Sequence, residues 1–251
     1  MPSQIPAVPH YWLLNARVPA CLLEAEGLTP IETLRTSAQR EDLVAVDIEI
    51  RDGIIQSLGA AGTAQPVEVA TVDLRQGLVW SCFVDAHTHL DKGHIWPRQP
   101  NPNGTFDSAL AVVQQDREAH WSPEDVFRRM EFGLKCSYAH GTQAIRTHLD
   151  SFGPLGKPNF TVFDELRRQW SDRITLQAVC LVSLDYFLTP EAQTLTQLVA
   201  DFNGVLGAVA YMNKDLVPQL DQIFTLAKRY DLDLDFHTDE SLDPEDITLR
   251  H

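Results

Sequence analysis

From residue 78 onward the chain alternates short apolar runs with segments of helical spacing, and this alternation most narrows how it can fold. The runs are LVWSCFVDAH (78–87), TQAIRTH (142–148), ITLQAVCLV (174–182), VLGAVAY (205–211) and LDLDFH (232–237). Between them Ser122 can cap a helix, with Pro123 in its first turn, Glu124 and Asp125 behind it, and Gly141 after its end. Segments 159–171 (NFTVFDELRRQWS) and 217–230 (VPQLDQIFTLAKRY) carry helical spacing, and Pro190 can open another helix running to about Asn203-Gly204. Repeated strand–helix units require parallel strands joined by right-handed crossovers, as a doubly wound sheet or as a barrel. A complete TIM barrel has eight strands in ~250 residues. Here five strands are legible and the sequence reaches His251 with the fifth helix barely begun, so a barrel cut short is expected.

Residues 1–77 have a different texture and are expected to form a β-rich module, with 78–251 holding the first five β/α units. YWLLNARVPACLLE and LVAVDIEIRDGIIQSLGA are rich in β-branched and aromatic residues. Asp52-Gly53 between apolar runs is a hairpin signal. A third run, VEVATVDL, follows Pro66, and Thr29 to Glu41 forms an excursion between strands.

Charge and composition remove several functions. With 35 Asp and Glu against 20 Lys and Arg the net charge is −15. A nucleic-acid binder needs a cationic face to displace counterions, so none is expected here. No window approaches the ~18 consecutive apolar residues of a membrane span. MPSQIPAVPH lacks a basic start followed by an apolar stretch, so no signal peptide is expected and the chain is assigned to the cytoplasm. Cys21, Cys82, Cys136 and Cys180 are widely spaced and read as reduced thiols.

Three strand ends carry histidine. In FVDAHTHLDKGH, His87 and His89 stand two apart at the end of an apolar strand and project from one face. Such a pair makes a preorganised bite for a divalent metal, although a bare His-x-His also suits a hydrogen-bonded surface pair. Asp91 follows in the same segment. In DFHTDE, His237 ends the fifth strand and Glu240 lies three positions on, a ligand and a carboxylate suited to metal-assisted hydrolysis or else to an acidic capping loop. In RTHLD, His148 and Asp150 are pocket residues or partners of the ligands, ahead of ligands themselves. His94 is placed at the mouth after the first strand. Lys214 is displaced from its strand end, which favours one metal over two.

Together these segments resemble the cytosine deaminase branch of the amidohydrolase superfamily, from about residue 78 to the end and more weakly through the N-terminal module. The resemblance is carried by FVDAHTHLDKG, NGTF, the helix after WSPEDV, GTQAIRTHLD, LQAV, GAVAYMNKD and FTLAKRYDLDLDFHTDE. It implies an α/β fold, a partial (β/α)8 TIM-like barrel with a flanking β-sandwich. It implies one divalent metal ion, zinc or iron, on His87, His89 and His237, with Glu240 shuttling protons. His148, Asp150, Ser183 and Asp91 are assigned to the substrate. Ser183 stands where cytosine deaminases present a glutamine, which points away from cytosine itself. Ser81-Cys82 replaces the usual Pro-Gly before the first histidines. The family's further histidine after strand six and aspartate after strand eight lie beyond His251.

The expected function is hydrolysis of a C–N bond in a small cyclic nitrogenous substrate, with metal-lowered water pKa and Glu240 moving the proton. The alternatives are ring-opening amide hydrolysis and a non-catalytic fragment with an incomplete metal site. Weak metal affinity and a tendency to form homo-oligomers through an open strand edge are expected for these residues alone.

Overall fold

Asp52 and Gly53 both adopt positive φ, 53° and 77°, the geometry of a tight hairpin turn whose twist matches its strands. In the computed structural model, which describes residues 5–23 and 43–251, they join β2 (Leu43–Arg51) to β3 (Ile54–Ala60). The excursion expected over Thr29–Glu41 lies outside the described residues. The chain divides into two compact units, Met1–Ser81 and Cys82–His251.

In the first unit β1 (His10–Pro19) pairs antiparallel with β2 and parallel with β4 (Ala70–Asp73), giving the order β3-β2-β1-β4. Alternate residues Val44, Val46, Ile48 and Ile50 bury against Ala16, Val18 and Leu58. Asp47 is buried between them and accepts backbone N–H groups from Asn15 at 2.9 Å, Gly62 at 2.8 Å and Ala64 at 3.2 Å. This carboxylate therefore fixes the β1 bulge and the turn after β3. Among the described residues the unit is one four-stranded sheet; the second layer of the expected sandwich is not among them.

The second unit holds five parallel strands, β5 (Phe83–Thr88), β6 (Thr142–Asp150), β7 (Thr175–Leu181), β8 (Leu206–Ala210) and β9 (Leu234–Thr238). β5-β6-β7 form one ladder and β8-β9 another. Bridges Val179–Val205 and Ser183–Val209 join them, so the strands follow in chain order. The first run is shorter than expected as a strand of this unit. Its leading residues Leu78 and Val79 pair instead with Arg17 of β1.

The α-helices of this unit are α1 (Phe106–His120), α2 (Pro123–Ala139), α3 (Gly156–Gln169), α4 (Ala192–Asp201) and α5 (Leu216–Tyr230). Ser122 caps α2 as expected, its hydroxyl accepting from Asp125 N at 3.2 Å. α1 was not anticipated; Thr105 caps it through Ser108 N at 3.3 Å.

Period-two alternation sorts the strand residues. Ile145 and Leu149 of β6, Ala178 and Cys180 of β7, and Ala208 and Ala210 of β8 join one core with Met130, Phe163, Val199 and Ile223 of α2 to α5. The opposite set, Arg146, His148 and Asp150 on β6 and Asp235 and His237 on β9, faces away from those helices. Among the described residues, no helix is long and apolar enough to cross a membrane.

Gly207 lets β8 lie close between its neighbours. A Cβ there would be 2.5 Å from the Cys180 carbonyl oxygen and 3.0 Å from that of Asp235, and would overlap Val179 Cγ1. Gly207→Ala should therefore lower stability by about 1–3 kcal/mol, the usual range for overpacking, measured as a shift of the urea midpoint.

Candidate metal centre

β5, β6 and β9 deliver four imidazoles to one place. His87 lies in β5 and His89 directly after it, His148 in β6, and His237 in β9. Each offers a ring nitrogen within 4.8 Å of those of the others. Ring centroids stand 4.3 Å apart for His87 and His148, and 4.6 Å for His87 and His237. His89 Nε2 and His237 Nε2 are 3.4 Å apart. Two nitrogens on a tetrahedral ion at 2.0–2.1 Å are separated by about 3.3–3.4 Å, so this spacing suits a shared zinc-sized cation.

The electrostatics agree with that fit. Burial, reinforced by the positive charge of Lys92 and the neighbouring histidines, pushes His89 down to about 3. Burial and the surrounding histidines take His237 to about 4. Both are therefore neutral near pH 7, the form that donates a lone pair to a metal. His89 Nδ1, His148 Nδ1 and His237 Nδ1 are buried without a hydrogen-bond partner, an unusual concentration of unsatisfied polar atoms.

Asp235 braces the cluster from below. It accepts from Arg146 Nη1 at 2.8 Å and meets His148 Nε2 at 3.2 Å. Arg146 Nε in turn donates to Gln177 Oε1 at 2.7 Å. Burial works against the Asp235 charge, but hydrogen bonds from His148 and Arg146 hold its carboxyl below the ordinary value. For His148, burial outweighs Asp235 and lowers the pKa.

A cavity of about 540 Å³ opens over the cluster, with His89 and His237 on its wall. Asp150 lies on the same wall, gripped by Lys92 Nζ at 2.7 Å and Arg117 Nη1 at 2.6 Å. Ser183 and Glu240 also line it. Ser183 places its hydroxyl on the Asp185 carboxylate. Tyr211, on the wall too, has its pKa raised by burial and by Glu240.

Two assignments change. Asp91 is fully buried and does not line the cavity; its Oδ2 accepts the Asp150 backbone N–H at 2.7 Å, so it supports the wall from behind. Burial and the nearby Asp150 carboxylate push it up to about 7. His94 packs its ring edge-on against Phe132 at 4.7 Å and is not on the wall. Lys214 belongs to neither the cluster nor the wall.

Four contributors escaped the sequence reading: Lys92, Arg117, Tyr211 and Asp235. Asp235 stands two residues before His237 and so shares its strand face, a signal that was available. Arg117 could have been found only through α1, where Phe106, Leu110, Val113, Gln114 and Arg117 recur at helical spacing along one stripe.

Comparison with known proteins follows the same lines. No protein-family profile matches the chain. It is 47% identical over 247 residues to a pterin deaminase of Rhizobium rhizogenes (strain K84 / ATCC BAA-868), covering 98% of this chain and 54% of that protein. It is 26% identical over 178 residues to an N-isopropylammelide isopropyl amidohydrolase of Pseudomonas sp. (strain ADP), covering 66% of this chain and 43% of that one. The chain thus spans about half the length of these relatives. The crystal structure of 5-methylcytosine deaminase from Klebsiella pneumoniae liganded with 5-fluorocytosine shares the fold at a TM-score of 0.72 and 24% identity. That match covers 95% of this chain and 53% of that structure.

The depressed histidines give stability a pH signature in the metal-free chain. Unfolded imidazoles bind protons below their ordinary value of 6.5, whereas folded His89 and His237 do so only near 3 and 4. The unfolded state therefore holds more protons in that window, and stability must fall as pH drops from 6.5 towards 4. Urea unfolding at steps across that range should show the loss, and His237→Ala should flatten it.

Proposed function

We propose that this chain, which belongs to the deaminase branch of the amidohydrolase superfamily, carries the metal-holding wall of an active site that removes an exocyclic amino group from a pterin-like two-ring heterocycle. The observation that carries this reading is the convergence of His87, His89, His148 and His237 beneath a cavity whose wall also holds a carboxylate, Glu240. The pterin deaminase at 47% identity supports the substrate class. Five parallel strands in chain order, with their apolar face turned to α2–α5 and their histidines on the opposite face, support a (β/α)8 barrel arrangement in which catalytic groups collect at strand C-termini.

His87, His89 and His237 would hold one zinc or iron ion, which when bound supplies Lewis-acid activation of water. Asp235 and Arg146 keep His148 in a fixed orientation beside those ligands, the usual task of groups behind a metal site. The net reaction adds water at the carbon bearing the amino group and expels ammonia, leaving a ring carbonyl. Glu240 takes a proton from the attacking water and returns it to the departing nitrogen, and the second water proton ends on the adjacent ring nitrogen, so atoms and charge balance. Aromatic side chains on the wall, among them Phe106 and Tyr211, offer flat apolar surface to the ring and exclude bulk water.

The test is ammonia release from pterin by the metal-loaded protein, followed together with the ring absorbance. Glu240→Gln should leave metal content unchanged and lower kcat by ~10²–10⁴-fold, the usual share of general acid–base catalysis. Loss of ring absorbance without ammonia would favour ring opening instead. Full activity in the Gln variant would remove Glu240 from the mechanism.

A further inference from the structure

The cavity has a polar end that the deamination chemistry does not use. Parallel strands rise about 3.3 Å per residue, so Asp150 stands about 7 Å beyond His148 on the same face of β6. Its two oxygens are taken by two cations, Lys92 from the loop after β5 and Arg117 from the end of the α1 stripe. That offset is about the reach of a second ring fused to one whose C–N bond lies over the histidines. Along α1 the wall passes from apolar Phe106, Leu110 and Val113 to Gln114 and then Arg117. A flat ring resting on that stripe would place its far edge against the guanidinium.

The charges at this end do not cancel. Two cations, Lys92 and Arg117, face one carboxylate, Asp150, on this part of the wall. Arg117 uses one nitrogen on Asp150 and Lys92 one N–H; among the described residues no other acceptor engages either side chain. The Arg117 guanidinium carbon lies over the Phe152 ring, 4.5 Å from its centroid, so the aromatic face packs against the fork. A planar guanidinium with donors beyond the one on Asp150 is suited to a carboxylate.

We propose that Arg117, assisted by Lys92, receives an acidic substituent on the ring of the substrate remote from the scissile C–N bond, so that the preferred substrate is a carboxylated derivative of the two-ring heterocycle. This rests on the two-ring reading given above. Arg117 then sets specificity, while His89, His237 and Glu240 at the other end act on the bond.

Fluorescence titration of the zinc-loaded protein with pterin and with pterin-6-carboxylate tests it. The wild type should bind the carboxylate about tenfold or more tightly than pterin, the usual gain from a hydrogen bond to a charged group. Arg117→Met should reduce that preference, read as the ratio of the two affinities within the variant, to about threefold or less, and Arg117→Lys should keep part of it. Equal binding by the wild type, or a preference untouched in Arg117→Met, would overturn the proposal. If Arg117→Met fails to fold by circular dichroism, Lys92→Met takes its place, and a preference undiminished there has the same force. If neither pterin binds but cytosine does, the two-ring reading fails. The acid-binding end is then judged by 5-carboxycytosine against cytosine: a preference that Arg117→Met removes keeps it, and no preference ends it. A protein that binds none of the four ligands would overturn it as well.

Discussion

Successive side chains of a β-strand point to opposite faces, and the second unit depends on that division. On β6, β7 and β8 one set of residues packs against α2–α5, including Leu149, Cys180 and Ala208, all inaccessible to solvent. Burying a side chain of Leu or Phe size contributes roughly 1.5–3 kcal/mol, so the core set fixes the register of each strand. A slip of one residue would carry the histidines into the helix layer and the leucines into the cavity. The position of His148 is thus secured by Ile145 and Leu149 on the reverse of its own strand. The same rule holds on β9, where Leu234 and Phe236 face the core and Asp235 and His237 the site.

Placing polar groups on an inner face raises the question of how they are satisfied. Two strategies appear, one above the other. At the level of Asp235 and again at Asp150, each carboxylate is held between two basic groups, so neither acid is buried without a partner. Between these levels His89 and His237 shed charge instead, and the Nδ1 atoms of His89, His148 and His237 are left without partners. An apolar replacement there would stabilise the fold, since unsatisfied buried polar atoms cost about 1–3 kcal/mol each. Retaining three buried imidazoles against that cost is the mark of a site built for a ligand.

This division also explains what the sequence disclosed. All five parallel strands were legible because each is a short apolar run, and His87, His89 and His237 were legible because each ends such a run. The hairpin at Asp52-Gly53 was legible because its turn demands residues that tolerate positive φ. α1 was hidden because its stripe faces a cavity and mixes Phe106 and Leu110 with Gln114 and Arg117, which blurs the apolar periodicity. Asp91 was misjudged because adjacency to the histidine motif says nothing about which way the chain turns after the strand; it turns inward, beneath Asp150. Leu78 and Val79 were misassigned because an apolar run fits any neighbouring strand, and β1 supplies their backbone partners.

The unsatisfied histidines also define how folding and ligand binding are linked. In the free cluster each buried Nδ1 gives up its bonds with water and receives none in return, a cost borne by the packed strands. A cation shared by the rings would occupy lone pairs that burial already keeps free of protons. Its binding energy would then add to the stability of β5, β6 and β9 together, because the ligands come from all three strands. Asp235 makes that coupling rigid: it ties His148 to Arg146, and through Arg146 to Gln177 on β7. A displacement of any one of these strands would be felt by the imidazoles, so the geometry of the centre and the integrity of the sheet are one property.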